Sequence, residues 1–132
     1  MRIEVRYCSR SGNTKMLAEA IAKGAGVKAI SIDEENSRIA EEVDVLFIGG
    51  ALYAYGLDKN LKNYLETLSS SNIKRAVVFS TSWISKHSID LIKKALTQKG
   101  IKVEEEYCYA KNTPSADDIN AAENFAKKMI EE

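Results

Sequence analysis

Seven residues near the N-terminus, Cys8-Ser9-Arg10-Ser11-Gly12-Asn13-Thr14, place three hydroxyls and a glycine in one short turn ahead of a helical pattern. Backbone N–H groups in the first turn of a helix lack intrahelical partners and carry partial positive charge. Together with the hydroxyls they form a cradle for a phosphate that needs no metal. The same residue types also cap helices that bind nothing, and spacing alone leaves the two readings level. A second cluster, Gly49-Gly50-Ala51-Leu52-Tyr53-Ala54-Tyr55-Gly56-Leu57-Asp58, sets small residues beside two tyrosines. Small residues let a backbone approach a flat ring, and tyrosine gives that ring an aromatic or hydrogen-bonding neighbour; a single tyrosine would more simply cap the sheet's apolar edge. A third, Ser80-Thr81-Ser82-Trp83-Ile84-Ser85-Lys86-His87, holds the only tryptophan. Trp83 either borders a ring or packs on the helix that follows. Lys86 and His87 start that helix and face solvent, with proton transfer open to His87 by position.

The elements that carry these clusters alternate. Ile3, Val5 and Tyr7 alternate with Glu4 and Arg6, which predicts a strand over Arg2 to Tyr7. Met16, Leu17, Ala20 and Ile21 then recur with helical period until Gly24 and Gly26 close the pattern. Val27 to Ile32 reads as a short strand, Asn36 to Glu42 as a brief helical turn, and Val43 to Gly49 as a central parallel strand, being apolar throughout but for Asp44. Leu57 to Leu68 has one apolar helical face, Ile73 to Ser80 is a buried-strand pattern, and a helix through Ile89, Ile92 and Leu96 ends at Gly100. A strand over Ile101 to Ala110 and a helix over Ala116 to Ile130, behind Pro114, complete five strands and about five helices. Such alternation predicts one α/β domain over residues 1–132: a doubly wound, five-stranded parallel sheet of order 2-1-3-4-5 in a three-layer α/β/α sandwich. That order puts a ligand beyond the carboxyl ends of strands one, three and four, where the three clusters fall.

Composition excludes several classes. At 132 residues there is room for one core. No apolar run approaches the roughly 18 residues of a membrane span, and no secretory leader pattern opens the chain, so the expected compartment is the cytoplasm. Nineteen basic and nineteen acidic residues cancel, which offers nucleic acid no general attraction. Cys8 and Cys108 form no Cys-x-x-Cys pair and read as buried thiols, so no metal site is expected. A response-regulator receiver needs carboxylates where Cys8, Ser9, Gly49 and Gly50 stand, although Thr81 and Lys111 fall where it has its threonine and lysine. A low-molecular-weight tyrosine phosphatase needs an arginine at the sixth position after its cysteine, and here that position is Thr14. A P-loop nucleotidase needs its lysine before the hydroxyl residue, whereas Lys15 follows Thr14.

The run Tyr7 to Thr14 resembles the phosphate loop of flavodoxins, which reads Ser or Thr, any residue, Thr, Gly, Asn, Thr; Ser11 stands for the threonine and keeps its hydroxyl. Element order extends the resemblance over essentially the whole chain. It implies a flavodoxin-like fold that binds flavin mononucleotide (FMN) non-covalently and transfers electrons. Ser9, Ser11, Asn13 and Thr14 would hold the phosphate, helped by the backbone amides of Arg10 through Thr14, Gly12 included. Ala51, Leu52, Tyr53, Ala54, Tyr55 and Gly56 would contact the isoalloxazine, and Thr81, Ser82 and Trp83 its pyrimidine side. In flavodoxins a peptide in the second of these loops turns over when the flavin gains an electron and a proton; Gly56, with Gly50 as rival, matches its glycine. The implied role is a carrier between a reductase and an acceptor protein, monomeric or weakly dimeric and without a catalytic residue of its own. The alternative is a small FMN-dependent oxidoreductase acting on a quinone or a porphyrinogen.

Overall fold

A computed structural model describes residues 1–53, 56–83 and 85–131, residue 53 through its backbone alone. The elements run β1 (Ile3–Tyr7), α1 (Asn13–Ala25), β2 (Ala29–Ser31), a 3-10 turn (Glu35–Ser37), β3 (Val43–Tyr53), β4 (Gly56–Leu57), α2 (Lys59–Glu66), β5 (Ile73–Ser82), α3 (His87–Gln98), β6 (Val103–Lys111) and α4 (Ala116–Glu131). Hydrogen bonding orders the sheet β2-β1-β3-β5-β6, every neighbour parallel, with β4 folded back antiparallel on the end of β3. Counting parallel strands alone, this is the order 2-1-3-4-5 expected from the alternation.

Strand alternation sorts the core into two layers. Val5, Tyr7, Phe47, Val77 and Phe79 pack with Leu17, Ile21, Ala122, Ala126 and Met129 on the face covered by α1 and α4. Leu46, Ile48 and Val78 point the other way, against Leu61, Leu65, Ile92 and Leu96 of α2 and α3. Because β3 is covered on both faces, Val45 through Gly50 are all buried, and its sequence is apolar rather than alternating.

Several boundaries differ from the sequence reading. Gly24 does not end α1; it lies inside the helix, where a Cβ would stand 2.2 Å from the Glu123 carbonyl oxygen of α4, so its role is close helix approach. The stop is Gly26, in the left-handed region at φ 76, followed by a Val27 N–H bond back to the Ala22 carbonyl at 3.0 Å. Helix α2 begins at Lys59, after Leu57 is taken into β4, because the Asp58 carboxylate accepts the Asn60 N–H at 2.7 Å and caps the helix there. The turn expected over Asn36 to Glu42 shrinks to Glu35–Ser37, since the Ser37 carbonyl accepts from Arg6 Nε at 2.7 Å and from the Tyr64 hydroxyl at 2.5 Å. A carbonyl bonded across the fold no longer serves a helical N–H. β3 and β5 both run past their expected ends, to Tyr53 and Ser82, and carry the candidate loops outward as a paired extension.

Candidate functional site

The turn after β1 is shaped by its own side chains. Cys8 N–H continues the ladder to the Gly49 carbonyl at 3.0 Å, then Ser9 Oγ accepts the Gly12 N–H at 3.0 Å and Ser11 Oγ accepts the Asn13 N–H at 3.4 Å. Gly12 occupies the N-cap position at φ +92, a left-handed conformation that disfavours any side chain, although open space surrounds its missing Cβ. The N-cap residue, being glycine, supplies no side-chain cap, and no acidic residue stands in the first turn of α1. Ser9 therefore braces the turn, Ser11 takes up the first N–H of α1, and no carboxylate of the helix's own first turn opposes the partial positive charge of its N-terminus.

Three consecutive hydroxyls at the end of β5 tie this turn to the loops around it. Ser80 Oγ donates to the Gly50 carbonyl at 2.5 Å and lies 2.6 Å from Ser88 Oγ of α3. Thr81 Oγ1 is 2.7 Å from Thr14 Oγ1, and both threonines are buried. Ser82 Oγ lies 2.9 Å from the Tyr109 hydroxyl and bonds the Ser85 carbonyl. The carboxyl-terminal half of β3 is held by packing: a Cβ on Gly49 would stand 2.3 Å from the Phe79 ring, and one on Gly50 2.4 Å from Leu61.

Ser11, Asn13, Ala51, Leu52, Thr81, Ser82 and Trp83, all expected from sequence, line one cavity of about 220 Å³ together with Asn112. Ser9, Arg10, Gly12 and Thr14 form the turn beside it without lining it. Ala54, Tyr55 and the Tyr53 side chain lie outside the described residues. Gly56, at φ +111, lines a second, larger groove of about 540 Å³ between α2 and α3. Leu52 lines both cavities.

Sequence reasoning missed the fourth loop, after β6. Asn112 N–H donates to the Ser82 carbonyl at 3.0 Å, and Thr113 Oγ1 donates to Asn13 Oδ1 at 3.2 Å, so this loop is tied to β5 and to the turn, and Asn112 lines the cavity. Asn112 is the positive-φ residue other than glycine among the described residues, at φ 57. The signal was available: asparagine tolerates the left-handed region, and Asn112-Thr113-Pro114 stands between a strand and a helix.

Two titrating groups sit against the turn. Burial pushes the Cys8 thiol up to about 12, with the Asp58 and Asp33 carboxylates adding to the rise. It is a protonated thiol at neutral pH, not a nucleophile. Burial acts to raise the Asp58 pKa as well, but hydrogen bonds from Arg10 and the Asn60 N–H, with the Arg10 charge, outweigh it and hold the carboxyl below its ordinary value. Arg10 Nε lies 2.7 Å from Asp58 Oδ2.

The sheet order and the loops gathered at its carboxyl end define a doubly wound α/β protein with the turn after β1 at its switch point. Residues 5–110 match the family model of the flavodoxin domain. An uncharacterized protein of Methanocaldococcus jannaschii is 26% identical over 136 aligned positions, 89% of this chain and 90% of that one. Among solved structures, a flavodoxin from the domain Archaea superposes with a TM-score of 0.86 at 23% identity, covering 99% of this chain and 97% of that one. Oxidised flavodoxin 1 of Bacillus cereus gives 0.82 at 21% identity, covering 99% and 98%. The chain belongs to the flavodoxin family.

Proposed function

We propose that this protein binds FMN non-covalently at the ends of β1, β3 and β5 and carries electrons between a reductase and an acceptor protein. Bound FMN supplies the redox chemistry, accepting and releasing electrons singly or in pairs. The observation that carries the reading is the turn Ser9 to Thr14. It presents hydroxyls and a helix N-terminus whose N-cap is glycine and whose first turn holds no acid, beside a cavity that also takes in the ends of β3 and β5. In this reading Ser9, Ser11, Asn13 and Thr14 hold the phosphate with the amides of Arg10 to Thr14. Ala51 and Leu52, with Tyr53 to Gly56, form one wall for the ring; Thr81 and Ser82 form the other. Trp83 covers the ring: its side chain stands at the mouth of the cavity, 71% exposed, and stacking on a flat ligand would bury that surface. Titration with quenching of flavin fluorescence tests the proposal. FMN should bind more tightly than riboflavin, and replacing Ser11 and Thr14 together by alanine should remove the preference, since each lost donor to a charged acceptor costs about 1.5 kcal/mol or more. Equal affinity for FMN and riboflavin in the native protein would sink it.

One feature favours a second reading, an FMN-dependent oxidoreductase acting on a quinone-class compound. The groove between α2 and α3 has an apolar floor of Leu52, Leu57, Leu65, Leu91 and Ala95, and His87 and Lys62 stand at its rim. Its volume suits a small flat acceptor, and it shares Leu52 with the cavity. Photoreduced, FMN-loaded protein mixed with a soluble quinone separates the two readings. An enzyme slows markedly when Leu91→Trp fills the groove, while oxidation by ferricyanide does not; a carrier shows the same modest rates with both proteins.

A further inference from the structure

Resting on the assignment of the turn Ser9 to Thr14 to a phosphate, we infer that the Arg10 side chain is a specificity-determining residue for that phosphate: it cancels a fixed negative charge built into the cradle wall. The charge is Asp58. This carboxylate is buried, 8% exposed, and the fold needs it there, because Oδ1 accepts the Asn60 N–H at 2.7 Å and starts α2. Its position also joins the walls of the site: it follows β4, and its Oδ2 accepts Arg10 Nε at 2.7 Å from inside the turn after β1. A buried anion within one arginine side chain's reach of a phosphate subsite works against a dianionic ligand. The guanidinium, paired with Oδ2 while Oδ1 keeps the cap, offsets that repulsion. Asp58 stays ionised in this pair, as its lowered pKa indicates, so the need for the countercharge persists at neutral pH. Arg10 itself is 62% exposed at its side chain, so its role is electrostatic and not one of core packing.

The inference separates the phosphate from the ring, and that separation is the test. FMN and riboflavin affinities are measured for the native protein, Arg10→Ala, Arg10→Lys, Asp58→Asn and the double variant Arg10→Ala/Asp58→Asn. Asparagine keeps the N-cap, so Asp58→Asn removes the charge without removing the helix start. Arg10→Ala should weaken FMN by about tenfold and leave riboflavin unchanged, and the loss should shrink as salt is raised. Arg10→Lys should restore most of the affinity. The double variant should bind FMN about as well as the native protein, because no charge remains to be cancelled. Three outcomes overturn the inference while native FMN preference stands: Arg10→Ala keeping FMN affinity, losing riboflavin equally, or staying weak in the double variant, which would mean direct contact with the phosphate. Absence of FMN preference in the native protein instead removes the cradle assignment itself, so the two failures are distinguishable.

Discussion

The backbone of the turn after β1 is braced by bonds between near neighbours, Ser9 to Gly12 and Ser11 to Asn13, while the side chains of Arg10, Asn13 and Thr14 tie it to distant partners; the ends of β3 and β5 are braced by packing and by bonds that cross the sheet. In the turn a ligand would meet backbone amides whose arrangement is fixed within a few residues. In the walls it would meet Leu52 and Trp83, positioned by elements distant in sequence. Local bracing makes a subsite that survives the loss of one side chain. Tertiary bracing makes one that fails when packing fails.

The largest effect expected from this contrast is at Gly49. A Cβ there would stand 2.3 Å from the Phe79 ring and 2.4 Å from the Phe79 carbonyl oxygen, and backbone does not yield as a flexible side chain would. Gly49→Val should destabilise the domain by about 3 kcal/mol or more, read as a lower urea midpoint with an unchanged slope. A variant that melts like the native protein would mean that the wall after β3 is not set by close packing.

Next come the two hydroxyls of the turn, which should part company. Thr14 is 1% exposed and shares its hydrogen bond with buried Thr81, so Thr14→Ala orphans a partner and should cost about 1–3 kcal/mol of stability as well as FMN affinity. Ser11 is exposed, and Ser11→Ala should weaken FMN by about 1.5 kcal/mol or more with stability within about 0.5 kcal/mol of native. Thermal melts and flavin titrations on the same samples decide it; equal stability losses would erase the distinction.

The same contrast explains what the sequence made legible. Ser9 to Thr14 could be read because cradle, glycine and helix start lie within one turn of chain, and the five parallel strands could be read because burial on both faces leaves a compositional mark on β3 and β5. The serines' bracing of the turn was not legible, since spacing does not tell a hydroxyl that caps a helix from one that shapes the loop ahead of it. Nor was the start of α2 at Lys59, where apolar periodicity ran on through Leu57 and only the Asp58 cap decided the boundary. The fold-back of Gly56–Leu57 onto β3, the Thr14 to Thr81 bond and the ties made by Asn112 and Thr113 all join residues far apart or depend on a paired strand. Periodicity carries no record of these.

A smaller effect belongs to Trp83. Its exposure means that Trp83→Ala should leave stability within about 0.5 kcal/mol of native, while removing an aromatic neighbour of the ring should cost flavin affinity about 1 kcal/mol. The cost should be equal for FMN and riboflavin, the reverse of the Ser11 pattern. A loss confined to FMN would place Trp83 at the wrong end of the ligand.

The smallest expected effect concerns the two glycines that compete for a role in tuning bound FMN. Gly50 already has a packing reason to lack a side chain, since its Cβ would stand 2.4 Å from Leu61. Gly56 has a conformational one: φ is +111 with open space around the missing Cβ, so a side chain there meets backbone strain and no clash. Gly56→Ala is therefore a clean measure of strain, about 1 kcal/mol, or a few degrees of melting temperature for a domain of this size. Gly56 pairs with Tyr53 in the fold-back of β4 and lines the groove between α2 and α3, which assigns it to the turn. On that assignment the melting temperature falls while the reduction potential of bound FMN stays at the native value. If the potential moves while stability does not, Gly56 acts on the ring, and the wall after β3 owes its chemistry to local backbone just as the turn after β1 does.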